Sequence, residues 1–186
     1  MNIFLRHAKP VDETQQTSSG SIWYLPHHGV VNPHKPGKVR VVFNPSARHK
    51  GTSLNEQLFK GPDLLTSLIG VLLRFRRLPV PISGDIEKMY HQVLVPSHQQ
   101  SFLRFLWKNP DQVGEPKPYQ MTVHIFGAVS SPTSCIYALR KTGEDFGSRY
   151  PLVADRILHN IYVDNYLDLT ETEEEAIEII KVFRHC

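Results

Sequence analysis

The chain has 186 residues, 40% apolar and 21% charged, a net charge of +3 and two cysteines, Cys135 and Cys186, which suits a globular chain with its own core and excludes a disulfide framework or a cysteine-rich metal knuckle. The best apolar run, Leu64 to Phe75, is broken by Thr66 and Ser67 and is too short to span a bilayer, and Met1 to Pro10 holds no signal-peptide core, so an intracellular, cytoplasmic protein that is neither secreted nor membrane-bound is expected. Residues 1–110 hold 14 Lys and Arg against 6 Asp and Glu, and residues 111–186 hold 7 against 12, a gradient that fits a polyanion binder with a metal-binding end, and fits many unrelated proteins too.

Residues 1–22 are polar, with a Gln-Gln-Thr-Ser-Ser-Gly-Ser run, and read as a flexible leader. Order is expected from Trp23. Pro33, Pro36 and Gly37 make a turn into Val39 to Phe43, whose β-branched residues predict a strand. Leu64, Leu65, Leu68, Val71, Leu72 and Phe75 have helical spacing, with Asp63 placed to cap the first turn. Pro79 to Gly84 is short and apolar and stops at Asp85. Ser101 to Trp107 reads as a strand buried on both faces, and Tyr119 to Ile125 as a half-buried one with Tyr119, Met121, Val123 and Ile125 on one side.

Ser131-Pro132 is a helix opening, and a helix to about Phe146 should follow. Ile157 to Val163 and Tyr166 to Leu169 flank Asp164-Asn165 as a hairpin would. Thr172 and Glu175 form a capping box for a last helix with Ala176, Ile179, Ile180 and Phe183 on one face and Arg184 near its end. The element order predicts an α+β fold with a mostly antiparallel sheet.

Two carboxylates stand out. Asp85 follows an apolar strand and Asp164 sits at a hairpin tip, where rigid carboxylates on neighbouring strands could share Mg²⁺ for two-metal phosphoryl transfer. A turn-forming Asp-Asn and a helix-capping Asp are the plainer readings of the same residues, and spacing cannot choose between them. His27, His28 and His34 have no helix or cysteine partner and do not read as a zinc site.

Five blocks in order alter the balance: Trp23-Tyr24-Leu25-Pro26-His27-His28, Lys38 to Phe43, Gly84-Asp85-Ile86-Glu87-Lys88-Met89-Tyr90-His91-Gln92-Val93, His124-Ile125-Phe126-Gly127-Ala128, and Tyr162-Val163-Asp164. Over roughly residues 23–184 they resemble the reverse transcriptase of BEL/Pao-type LTR retrotransposons. The resemblance implies a right-hand polymerase, RNA-directed DNA polymerase activity with two Mg²⁺, and a Pol polyprotein. It implies fingers over about 23–80 and a palm, with fingers insertions, over about 81–186. The palm would be an antiparallel sheet packed on helices. Asp85, Asp164 and the Ile86 carbonyl would hold metal. Tyr90 would be the steric gate under the sugar. Lys38 and Arg40 would meet the triphosphate, and Phe126-Gly127 the nascent base pair. Partners would be RNA/DNA primer-template and deoxynucleoside triphosphates. Arg74, Arg76 and Arg77 fit either phosphate contacts or a solvated helix end.

The chain departs from that family at Asn165, where a second catalytic aspartate is expected, and at Asn44, where an acid is usual. It stops 21 residues after Asn165 (186 − 165), leaving no thumb. An inactive or impaired polymerase is expected; the alternatives are a non-catalytic nucleic-acid-binding remnant and a fragment without function.

Overall fold

A computed structural model describes residues 7–12, 22–34, 37, 39–109 and 113–183. The chain divides into two units that interleave in sequence: Met1–Lys60 with Tyr90–Ser131, and Gly61–Met89 with Pro132–Cys186. Both are α+β with antiparallel sheets. Among the described residues no helix is long and apolar enough to cross a membrane.

The first unit is built on aromatic and β-branched alternation. Strands β1 (Ala8–Pro10), β5 (Arg104–Trp107) and β6 (Lys117–Met121) form a sheet in the order β1-β6-β5, and β2 (His27–Val31) pairs with β3 (Val39–Phe43). Met121, Val123 and Ile125 are all buried and meet Leu25, Phe43, Leu54, Leu103 and Phe105 in one core, although the strand expected over Tyr119 to Ile125 instead spans Lys117–Met121, with Val123 in an isolated bridge to Leu94. The strand at Val39–Phe43 has its expected bounds. Ala8–Pro10, within the span read as a leader, is instead a sheet strand, with Ala8 opposite Met121. The stretch from Ser101 yields a shorter strand than expected, because Ser97–Leu103 winds as a 3-10 helix.

In the second unit, β4 (Val80–Asp85), β7 (Ile161–Tyr162) and β8 (Asn165–Thr170) form a sheet in the order β4-β8-β7. Its inner face, Ile82, Ile161 and Tyr166, packs on Val153 and Ile157 of α4 (Pro151–Asn160) and on Ala176 and Ile179 of α5 (Glu173–Phe183). Helix α1 (Leu54–Gln57) lies in the first unit; α2 (Leu68–Arg74) and nearly all of α3 (Ser131–Phe146) lie in the second.

Three expectations here need correction. Helix α2 begins at Leu68 rather than near Asp63. The Asp63 carboxylate accepts from the Leu65 amide at 3.0 Å in a turn, and Ser67 supplies the cap by accepting from Gly70. Ile157 to Asn160 belongs to α4, a helix not foreseen, opened by Pro151 in its first turn. The hairpin tip is Val163-Asp164, so Asn165 is a strand residue. The α5 cap is half as expected: Glu175 N–H donates to Thr172 Oγ1 at 3.2 Å, but the Glu175 carboxylate accepts from Glu171, one residue early. Arg184 lies outside the described residues.

The second unit also buries a carboxylate. Asp168 accepts from Arg156 Nε and Tyr166 Oη at 2.6 Å each, and from Asn160 Nδ2 and the Leu169 amide at 2.8 Å. Asp168→Ala takes the nearest acceptor from Arg156, a half-buried side chain that also faces Glu175 at 3.6 Å, and is expected to lower stability by about 2–3 kcal/mol in urea denaturation. A loss below about 1 kcal/mol would place the pair in the range of solvated surface ion pairs.

Burial lowers the pKa of both His27 and His124 from the ordinary value of 6.5; the Leu25 backbone bond opposes the effect at His27, and neighbouring His28 adds to it. The folded state therefore favours neutral imidazoles. Their contribution to stability is full above pH 6.5 and is lost as the pH falls through the lowered folded values. The melting temperature should drop between about pH 8 and about pH 5, and drop less in a His27→Gln, His124→Gln double variant.

Candidate active site

The acidic candidates meet at one end of the second unit's sheet. Strands β4 and β8 are antiparallel with Asp85 opposite Asn165, and Asn165 in turn faces Tyr162 across the hairpin. Residues directly opposite in such a pair share a face with Cβ atoms about 4.5–5.5 Å apart. Asp85 and Asn165 are exposed on the face opposite the Ile82–Tyr166 core. Beyond the strand end, Ile86 N–H donates to the Asp164 carbonyl at 2.8 Å, fixing the hairpin tip against Asp85.

Asp164 shares a two-residue loop with Val163, whose φ is +59°. A positive φ at the first loop position is normally a glycine's place, and a β-branched residue there costs about 1–3 kcal/mol. Val163 lines a small, mostly apolar cleft with Leu65, Ile136, Leu139, Ile157 and Ile161, to which Thr66 and Arg140 add polar groups. Asn165 Nδ2 donates to Asp164 Oδ1 at 3.0 Å, so the amide substitutes a hydrogen bond for the repulsion a second carboxylate would bring. The sheet end thus offers two carboxylates, one amide oxygen and the Ile86 carbonyl, which already accepts from Met89 N–H at 3.1 Å. Such hard oxygen donors suit a small divalent cation. Among the described residues no group of three or more His, Cys, Asp or Glu side chains could hold a metal ion; an aspartate at 165 would add a third acid here.

The aromatic candidates meet in the first unit. Tyr90 and Phe126 pack at 4.5 Å between ring centroids with their planes tilted by 53°, His91 meets the Phe126 ring edge-on at 5.7 Å, and His7 stacks on His91 at 5.0 Å. Phe126 remains 48% exposed. Gly127 has φ +93°, and a Cβ there would come within 3.2 Å of Pro45 Cδ, so conformation and space both ask for glycine. Arg40 is exposed on β3 opposite Val30. Lys38 lies outside the described residues.

Other candidates have structural work. His27 is ringed by Phe43, Phe105 and Trp107 at 5.6–5.8 Å. Asn44 accepts from the Ser46 amide at 3.2 Å in a turn that an aspartate could also make. Arg74 bonds Asn160 Oδ1 and the His159 carbonyl, which makes it a tie to the end of α4, whereas Arg76 and Arg77 are exposed. Sequence reasoning passed over the Asp168 network that holds the hairpin. The signal was available: Asp168 alternates with Tyr166 and Thr170 on the strand's inner face, where an acid demands partners.

No model of a known protein family matches the chain, and no curated protein does. Solved structures do. A foamy viral protease-reverse transcriptase dRH, in complex with double-stranded DNA, matches at a TM-score of 0.61 and 19% identity, over 97% of this chain and 26% of that one. A foamy viral protease-reverse transcriptase in complex with an RNA/DNA hybrid matches at 0.62 and 18%, over 88% of this chain and 19% of that one. The chain spans about a quarter or less of the length of these structures. At such identity the likeness concerns the fold alone: this chain is folded like a part of these two structures.

Proposed function

We propose that the chain is the fingers and palm of an RNA-directed DNA polymerase, a reverse transcriptase of the BEL/Pao type from a retrotransposon Pol polyprotein, with its catalytic edge weakened at Asn165. The observation that carries this is the register of Asp85 against Asn165, with Asp164 clamped beside them by the Ile86 amide. The reverse transcriptase-like fold supports it, as do the family blocks that hold these residues. On this reading the first unit would be the fingers and the second the palm, in place of the division near residue 80 that the resemblance implies.

Asp85 and Asp164, with the Ile86 carbonyl, would hold Mg²⁺ in a two-ion site. Bound there, the ions would activate the primer 3′-hydroxyl and neutralise charge on the departing pyrophosphate. Tyr90 offers a flat wall at the sugar that a 2′-hydroxyl would strike. Arg40 and Lys38 pair with the triphosphate, the first through bidentate bonds and the second as a point charge. Phe126 and Gly127 line the nascent base pair. Asn165 contributes a neutral oxygen in place of a carboxylate and leaves the edge one charge short when cations and triphosphate must be accommodated together.

That deficit favours a second reading, a nucleic-acid-binding remnant without chemistry. The proposed fingers hold 11 Lys and Arg against 5 Asp and Glu, the proposed palm 10 against 13, so a basic surface survives whatever happens at Asn165. The duplex DNA and RNA/DNA hybrid held by the foamy viral proteins support primer-template as the partner in either case.

Primer extension on an RNA template with Mg²⁺ separates the two readings. Asn165→Asp should raise the extension rate by about 100-fold, the scale of one preorganised electrostatic group, and Asp85→Ala in that background should abolish it. Failure of Asn165→Asp to extend would leave the binding reading standing and sink the catalytic one. Salt titration tests binding itself. A footprint of about four phosphates predicts an affinity loss of about 100-fold between about 50 and about 200 mM salt. Affinity insensitive to salt would count against both readings.

A further inference from the structure

Asn55 lies in the short helix α1 of the first unit, 72 residues before Gly127, and its amide makes three hydrogen bonds to two loops. Nδ2 donates to the Gly127 carbonyl at 3.0 Å and to Ser46 Oγ at 2.8 Å, and Oδ1 accepts from the Val129 amide at 3.0 Å. The Asn55 backbone is fixed as well, since its N–H donates to the Pro45 carbonyl at 3.1 Å. The helix that carries it is pinned by a capping box: Glu56 N–H to Ser53 Oγ at 3.3 Å and Ser53 N–H to Glu56 Oε2 at 3.0 Å.

The geometry suits an asparagine. A carbonyl at 127 needs a donor and an N–H at 129 needs an acceptor, and a primary amide offers the two on separate atoms of one short side chain. Aspartate would set a charged oxygen against the Gly127 carbonyl. Glutamine is one methylene too long for a residue whose backbone is already held. Alanine would leave the Val129 N–H and the Gly127 carbonyl without these partners. The loop so held is the one that carries Phe126, exposed and packed at a tilt against Tyr90, and Gly127 with its left-handed backbone.

We propose, resting on the polymerase reading above, that Asn55 is a positioning residue of the nucleotide site. It sets the backbone of Gly127–Val129 so that the Phe126 ring stands beside Tyr90 as a wall for an incoming deoxynucleoside triphosphate. It acts through that loop and touches no substrate.

The test compares the unmodified chain with Asn55→Ala, Asn55→Asp and Ser53→Ala. Three quantities are read: dATP affinity with Mg²⁺, primer-template affinity, and hydrogen exchange at the Val129 amide. Ser53→Ala weakens the same helix through its cap while leaving the Asn55 bonds in place, so it reports what loss of local stability alone does. Asn55→Ala should speed Val129 exchange and weaken dATP binding by about ten-fold or more, the scale of a misplaced binding wall, with primer-template affinity and the Ser53→Ala values unchanged. Asn55→Asp should lose dATP affinity in the same direction and carries the comparison if the alanine variant gives no cooperative melt. Equal dATP affinity in Asn55→Ala and the unmodified chain would overturn the role, as would an equal loss in Ser53→Ala. If the unmodified chain binds no dATP at all, the nucleotide reading falls first and the Asn55 role with it.

Discussion

A carboxylate inside the second unit fixes where its catalytic candidates stand. Asp168 is 8% exposed, and an ionised group so placed is tolerable only when every lone pair finds a donor. Two donors come from α4 (Arg156 and Asn160) and two from β8 itself (Tyr166 and the Leu169 amide). Burial and the neighbouring Asp168 push the Tyr166 hydroxyl up from its ordinary value, so it stays protonated and donates. Helix α4 ends at Asn160 and β7 begins at Ile161. The network therefore ties both approaches to the Val163-Asp164 turn, and the hairpin has no slack through which Asp164 could drift from Asp85.

Held by that frame, the sheet end becomes a question of charge. Asp85, Asp164 and residue 165 share one edge because an antiparallel register sets Asp85 opposite 165 and an amide bond clamps 164. Asparagine at 165 makes that edge easier to fold, since its Nδ2 binds Asp164 where a carboxylate would repel it. The same exchange removes the negative charge that a bound cation would favour. Under the proposed function, local stability and metal affinity would be opposed at this position, with asparagine on the side of stability.

Two turns with left-handed backbone, one in each unit, carry candidate residues, and they are handled differently. At 127 a glycine takes the conformation without strain, and Asn55 and Pro45 close around it. At 163 a valine takes it at a cost, seated in a mostly apolar cleft. The first loop depends on hydrogen bonds from a distant residue and the second on packing, so solvent and substitution act on them by different routes.

The sequence by itself determined the α+β class, the strand at Val39–Phe43, the helix from Ser131 to Phe146, the buried row Met121, Val123 and Ile125, and the identity of Asp85 and Asp164 as candidates. These follow from local periodicity, β-branching and capping, which neighbouring residues alone can set. Tertiary structure decided the rest. Helix α2 is shorter than its apolar spacing suggests because Asp63 turns the chain and Ser67 caps it. The run Ile157 to Val163 splits between helix and strand because Asn160 must reach Asp168. Residue 165 lies in a strand because it pairs with Asp85, 80 positions earlier (165 − 85). Ala8–Pro10 is a strand only because β6 offers it an edge, and Asn55 has meaning only beside a loop 72 residues away. Each of these depends on a partner remote in the chain, and no local pattern carries the identity of a remote partner.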